Sequence, residues 1–345
     1  MNWKKYVLGL LIFTVSFLAV NLRVMDQFMI GSLPIDSVNT FAPNLRTTYR
    51  DEIQKNQPEV VAIGDSAIRK YSEPVFSLNS GMDTLIFSAP GSGSVYWYLF
   101  FRNQVLPASQ SVRYVLFFFR DTTLTVPEFL VKGDYLVRLE EVAGAKDRDV
   151  YEIAINNRKS SLVRWLENYV PMYAMRSDIY FKMTQAFRNF LPEMIVACDA
   201  NCVNMAFDTI FDMLQLNSLL WEEQFLIVND ILYTDAQLDF SAQAADSFLP
   251  MMIEDAATHN ITPVFVRVKY RSHAEGEQDD PLLAQYLDDL AEYVEEEGGV
   301  YVDLSKDDQI KAEMYDDGVH INAQFAPFVT RVVAKEITQA LDDLQ

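Results

Sequence analysis

Residues 64–66 read Gly-Asp-Ser and directly follow the apolar run Val60-Val61-Ala62-Ile63. A serine at the end of a buried strand can act as a nucleophile if a base takes its proton and a carboxylate orients that base. The chain holds three histidines, and one of them sits in Asp316-Asp317-Gly318-Val319-His320. Asp317 and His320, three apart on one turn, can set the carboxylate against one ring nitrogen and leave the other to face Ser66. Ser66, His320 and Asp317 are therefore the candidate catalytic residues. Acyl transfer also requires donors for a developing oxyanion. Glycine lets the main chain approach a ligand, so the N–H of Ser66 and that of Gly91, in the turn Gly91-Ser92-Gly93-Ser94, are candidates. That turn is not a phosphate loop, since no lysine follows it and the G-x-G-x-x-G spacing is absent. Against these readings stand plainer ones: Asp65 or Ser66 as a helix N-cap, His320 as an exposed turn histidine, and the glycine turn as a simple reversal.

The elements that would position these residues alternate between apolar runs and helical patterns, which predicts a parallel α/β sheet. Strand-like runs are Val60–Ile63, Thr84–Phe87, Tyr114–Phe119 ending in Arg120-Asp121, Pro263–Val268 and Gly299–Leu304. Continuous apolar runs suit strands covered on both faces. Asp280-Pro281 opens a helix with Leu283, Tyr286, Leu287, Leu290, Tyr293 and Val294 on one side, and a last helix is expected from near Ala323 to Leu344. Helical patterns at 162–169, 179–190, 207–220 and 242–258 fill the space between the third and fourth strands. Only the last is needed as the crossover, so 122–235 reads as a helical insertion. The expected fold is a three-layer α/β sandwich on a five-stranded, mostly parallel sheet. Arg267 and Lys269, alternate residues at the end of the fourth strand, form a basic pair that could bind an anion; surface ion pairing is the simpler alternative. Arg69 and Lys70 lie just after Ser66.

A formal net charge of −21 argues against nucleic acid as a partner, because phosphate binding needs clustered Lys and Arg. Cys198 and Cys202 are the two cysteines, and no histidine lies near them in sequence, so no metal site is expected there; the proposed acyl-transfer chemistry calls for no cofactor. A small disulfide loop in an oxidising compartment is the preferred reading, and two free thiols in a helix pair is the other. At the N-terminus, Lys4 and Lys5 precede the run Tyr6–Val20, with Arg23 after it. The run lacks a clear small-residue cleavage pattern and suits an uncleaved anchor over residues 1–25, with a removed signal as the alternative. The positive-inside rule then puts the short N-terminus in the cytoplasm and the domain from 26 to 345 outside it, periplasmic or extracellular.

Gly64-Asp65-Ser66 after a hydrophobic strand, the glycine turn at Gly91 and Asp317-Gly318-Val319-His320 with Ile321-Asn322 leading into a final helix together resemble the SGNH (GDSL-type) hydrolase superfamily. The resemblance covers about 58–120 and 242–344, without the insertion. It implies an SGNH/flavodoxin-like sheet, Ser66 as nucleophile, His320 as base, Asp317 as its partner and Gly91 as an oxyanion donor. One block departs from the pattern: where the family often has an asparagine donor after the third strand, this chain has Arg120-Asp121. Arg120 then replaces it as a cationic donor, or the hole is two-membered, or activity has been lost; Asp65 and Arg120 are grouped with Gly91 as oxyanion or substrate contacts. The layout is similar to anchored members that acylate envelope polymers such as alginate and teichoic acid beside a multispanning membrane acyltransferase. It implies acyl, most simply acetyl, transfer to or from an envelope glycan. A catalytically silent scaffold subunit of an envelope assembly and a lipase-like enzyme are the alternative functions.

Overall fold

The computed structural model describes residues 43–127, 134–151, 153–154, 162, 165–166 and 235–343. By internal packing the chain divides into two units, 1–40 with 159–224 and 41–158 with 225–345. The first unit lies almost wholly outside the described residues. So do the expected anchor over 1–25, the Cys198–Cys202 pair and most of the helices expected at 162–169, 179–190 and 207–220. Among the described residues no helix is long and apolar enough to cross a membrane.

The second unit is an α/β fold on a five-stranded, all-parallel sheet. Its strands are β1 (Val60–Gly64), β2 (Thr84–Ser88), β3 (Tyr114–Phe119), β4 (Thr262–Arg267) and β5 (Val300–Asp303), in the order β2-β1-β3-β4-β5. Every residue of β1 and β3 is buried, as the unbroken apolar runs required. Alternation sends Val61, Ile63, Val115, Phe117 and Phe265 to one face and Val60, Ala62, Leu116, Phe118, Val264, Val266, Val300 and Val302 to the other. The described helices are α1 (Thr48–Asn56), α2 (Glu73–Ser80), α3 (Ser94–Phe100), α4 (Asp134–Val142), α5 (Arg148–Tyr151), α6 (Phe240–Ala244), α7 (Leu249–Thr258), α8 (Arg271–Ala274), α9 (Pro281–Glu296) and α10 (Ala326–Asp342). The first face packs on α3, α7 and α9, through residues such as Trp97, Met252, Tyr286 and Leu290. The second packs on α2 and α10, through Phe76, Val329, Val333 and Ile337. Helices on both faces make three layers.

Local chemistry explains the helix ends. Asp280 Oδ1 accepts from Leu282 N–H at 2.9 Å and Pro281 opens α9, satisfying a donor that the first turn leaves free. The crossover expected as one helix over 242–258 is two, α6 and α7. Pro250 lies in the first turn of α7, and its ring and missing N–H cannot sit in a continuous helix. Of the insertion expected over 122–235, the described residues Leu139, Val142, Val150 and Tyr151 join the core of the first face.

The C-terminal end of β1 leaves no room at Gly64. A Cβ there would stand 2.9 Å from both Ile68 Cδ1 and Phe118 Cβ, and the second neighbour is anchored in β3. Gly64→Ala should therefore destabilise the fold by about 1–3 kcal/mol, through overpacking. Thermal denaturation checks this, with an unchanged midpoint counting against a close approach at this position.

Candidate active site

The strand order sets the place of the site. The chain passes from β1 to β2 on one side and returns to β3 on the other, so the sheet reverses its winding between β1 and β3. A crevice opens outside the carboxyl ends of parallel strands at such a point. Ser66 follows β1 and Arg120 follows β3. Gly64 pairs with Phe118, so Ser66 and Arg120 each lie two residues beyond one paired position.

Asp65 shapes the nucleophile turn. Its Oδ1 accepts from Ala67 N–H at 2.8 Å and caps the 3-10 turn Ser66–Ile68, the capping role considered for it from sequence. Ser88 Oγ, at the end of β2, donates to Asp65 O at 2.7 Å. Asp65 is 4% exposed, and its Oδ2 lies 2.8 Å from Arg120 Nε. That N–H is not aligned as a hydrogen bond, so the contact is ionic. Burial by itself lowers the Arg120 pKa, but Asp65, Tyr270 and Asp121 outweigh it and hold the guanidinium charged.

The base arrives on a different loop. Asp317 Oδ1 accepts from the N–H groups of Val319 at 2.9 Å and His320 at 2.8 Å, an Asx-type turn that folds the histidine back toward the carboxylate. Asp317 Oδ2 then meets His320 Nδ1 at 2.8 Å, and His320 Nε2 meets Ser66 Oγ at 2.8 Å. An ionised carboxylate only accepts, so Nδ1 carries the proton, Nε2 is the acceptor and Ser66 Oγ donates to it. Burial pushes the Asp317 carboxyl up, but the two backbone donors and His320 more than reverse this and lower it, keeping it an anion. The structure thus joins Ser66, His320 and Asp317, which are 254 and 3 residues apart along the chain.

Contacts outside the expected set hold this loop. Tyr315 and Ile321 form an isolated antiparallel bridge, Tyr315 OH donates to Lys269 O at 2.8 Å, and Arg271 N–H donates to Gly318 O at 3.0 Å. Asp316 takes a separate part from Asp317: it accepts from Lys70 Nζ, just after the nucleophile, and from Asn322 Nδ2 at 2.6 Å. The loop of the base is thereby tied to the segment of the nucleophile. The adjacency of Lys70 to Ser66 was visible in the sequence, but its partner 246 residues away was not.

Gly91 lies in the turn after β2 with φ 68°, a left-handed conformation that glycine adopts without strain. Pro90 O accepts from Arg138 of α4. Among the described residues neither the N–H of Gly91 nor that of Ser66 donates to a protein group, so both are available to an oxyanion.

Arg267 and Lys269, expected as an anion-binding pair, are turned inward. Arg267 is 1% exposed and its terminal nitrogens bond Asp279 at 2.6 and 2.8 Å, Asp121 at 3.1 Å and Ser305 Oγ at 3.2 Å, with Asp303 at 3.6 Å. Lys269 Nζ donates to Asp307 O. The guanidinium is the hub of a buried carboxylate cluster that His273 extends through Asp279 at 3.0 Å and Tyr270 through Asp121 at 3.4 Å. The clue in sequence was that Arg267 and Asp303 end strands and Asp121 follows another by two residues. No group of His, Cys, Asp and Glu among the described residues is arranged to hold a metal ion.

In this cluster burial raises the Asp121 carboxyl and Arg267 offsets that only in part. Burial also pushes Asp279 up, but hydrogen bonds from His273 and Arg267 outweigh it and hold its carboxyl below the usual carboxylate range. A depressed carboxyl contributes stability above its unfolded pKa, which is lost as the pH falls through its folded one. Arg267→Met should therefore cost about 3–5 kcal/mol near neutral pH, by leaving the carboxylates buried and unpaired. The cost should shrink as the pH drops below about 4 and the carboxyls protonate. Urea denaturation of both proteins across pH checks the magnitude and its sign. No family model and no curated protein matches the chain, so the chemistry of the site is read from its own residues.

Proposed function

We propose that this protein is an extracytoplasmic serine esterase or O-acyltransferase of the SGNH type. It moves an acyl group, most simply acetyl, to or from a cell-envelope glycan or related polymer. The observation that carries the reading is the continuous chain Asp317–His320–Ser66, with 2.8 Å at each link. His320 Nε2 takes the Ser66 proton as Oγ attacks an ester carbonyl, while Asp317 holds the ring and stabilises the imidazolium that forms. The oxyanion is held by the N–H groups of Ser66 and Gly91. His320 then returns the proton to the leaving alcohol, and a sugar hydroxyl or water releases the acyl-enzyme by the same route in reverse.

The membrane placement, the polymer substrate and a multispanning acyltransferase partner rest on the Lys4–Arg23 segment and on the family resemblance. The parallel sheet, its order β2-β1-β3-β4-β5 and the triad at its carboxyl edge agree with that resemblance. An assembled triad favours an enzyme over a silent scaffold subunit.

A fluorophosphonate probe should label the purified full-length protein at Ser66. Ser66→Ala should abolish labelling, and His320→Ala or Asp317→Asn should slow it by about 10³-fold or more. Absence of labelling, or equal labelling of Ser66→Ala, counts against the assignment. Hydrolysis of nitrophenyl acetate, with and without a glycan acceptor, separates esterase from transferase.

A further inference from the structure

We propose that Arg138 is a positioning residue of this site: by holding the carbonyl of Pro90 it sets the Pro90–Gly91 peptide so that the Gly91 N–H faces the oxyanion. The proposal rests on the acyl-transfer reading above and adds to it a residue of α4, outside the stretches that carry the family resemblance.

The turn after β2 has a form that makes such a hold necessary. Ser92 N–H donates to Ala89 O at 3.1 Å, closing a four-residue turn with Pro90 and Gly91 at its centre. Proline followed by a residue at φ 68° is the combination of a type II turn. Types I and II share their outer residues and differ in the central peptide, which is turned over between them. Pro90 fits both, because its ring fixes only φ, and glycine at the next position accepts either sign of φ. The choice between them falls to whatever holds the peptide.

The outer residues are fixed. Ala89 N–H donates to Gly64 O at 2.9 Å, continuing the ladder between β1 and β2 by one residue. Ser92 Oγ accepts from Trp97 Nε1 at 2.8 Å and lies 3.5 Å from Gly64 O. The central peptide is what remains to be set, and Pro90 O accepts from Arg138 Nη1. A trans peptide points its C=O and N–H to opposite sides, so fixing Pro90 O fixes the direction of the Gly91 N–H. Ser88 pairs with Gly64, which brings this turn beside the one that carries Ser66. A cation on the carbonyl also polarises the amide and strengthens its N–H as a donor.

Arg138 can do this because its helix is anchored. The residue is exposed, but Leu139 and Val142 of α4 are buried in the core of the first face. Asn103 Nδ2 donates to Val142 O at 3.0 Å, and the N–H groups of Asn44 and Arg46 donate to Glu140 O and Glu141 O, each at 2.8 Å. The fold thus sets the base of a side chain whose head lies at the surface. Without that head, turning the peptide over would give Gly91 a negative φ and carry its N–H away from Ser66. In the step concerned, Ser66 Oγ bonds to the ester carbon, its proton passes to His320 Nε2 and the carbonyl π pair moves onto oxygen, where the Gly91 N–H meets it. Arg138 acts on these atoms only through the peptide it holds.

Hydrolysis of nitrophenyl acetate and fluorophosphonate labelling of the full-length protein test the role. Arg138→Met should lower kcat about 10–100-fold with KM and the melting temperature little changed, a part of what the loss of a whole oxyanion donor costs. Arg138→Lys, which keeps a cationic donor, should recover most of that loss. Gly91→Ala favours the other turn, since alanine is strained at φ 68°, and should be slower still. Arg138→Met added to Gly91→Ala should slow it no further, because the N–H to be oriented is already lost. Arg138→Met at the native rate, or losses that multiply in the double variant, overturns the role of Arg138. Absence of labelling at Ser66 in the native protein instead overturns the acyl-transfer reading itself.

Discussion

The carboxylate of Asp65 is the point on which the site depends. It is nearly inaccessible to water, and a bare anion in that position would be prohibitively costly. Its two oxygens are therefore committed, one to the Ala67 N–H and one to the Arg120 guanidinium. The first commitment bends the chain after β1 so that Ser66 leaves the strand at a fixed angle. The second ties β1 to the end of β3 across the point where the sheet reverses its winding. Because Gly64 lies against Phe118 with no space for a methyl group, the strands below are as close as that arrangement requires.

A second constraint acts on the charges. This acidic chain buries part of its charge at the carboxyl edge of the sheet, around Arg267. Such a cluster is poor evidence of net stability, since desolvation offsets much of the attraction, but it fixes geometry closely. Here it holds Asp121 in a left-handed conformation and locks the backbone that follows β3. Next to it, the segment after β4 supports the loop of His320 through Lys269 O and Arg271 N–H. The base is thus positioned by packing on one side and by the Lys70–Asp316 link to the nucleophile on the other.

Much of this was legible in the chain because the relevant patterns are local. The strands could be read because burial on two faces demands uninterrupted apolar residues, and Tyr114–Phe119 shows this without ambiguity. Asp317 and His320 could be paired because three residues of spacing and an Asx turn bring them together with no help from elsewhere. The crossover over 242–258 was misjudged for a local reason too: its apolar period continues through Pro250, but the backbone cannot.

What the sequence by itself determined was the set of groups and the elements that carry them: a serine after one strand, an Asp-x-x-His turn near the end, and strands whose composition requires helices on both faces. What only the tertiary structure decided was which distant groups meet. The sequence shows Arg120, Arg267 and Lys269 as three cations at strand ends, and nothing in their immediate neighbours distinguishes them. Folding surrounds Arg267 with carboxylates from the turn after β3, from β5 and from the segment just before α9, gives Lys269 a carbonyl, and sets Arg120 against Asp65 beside the nucleophile. The reason is physical: periodicity and turn chemistry act over a few residues, whereas the desolvation of a buried charge is settled by side chains that only folding brings near.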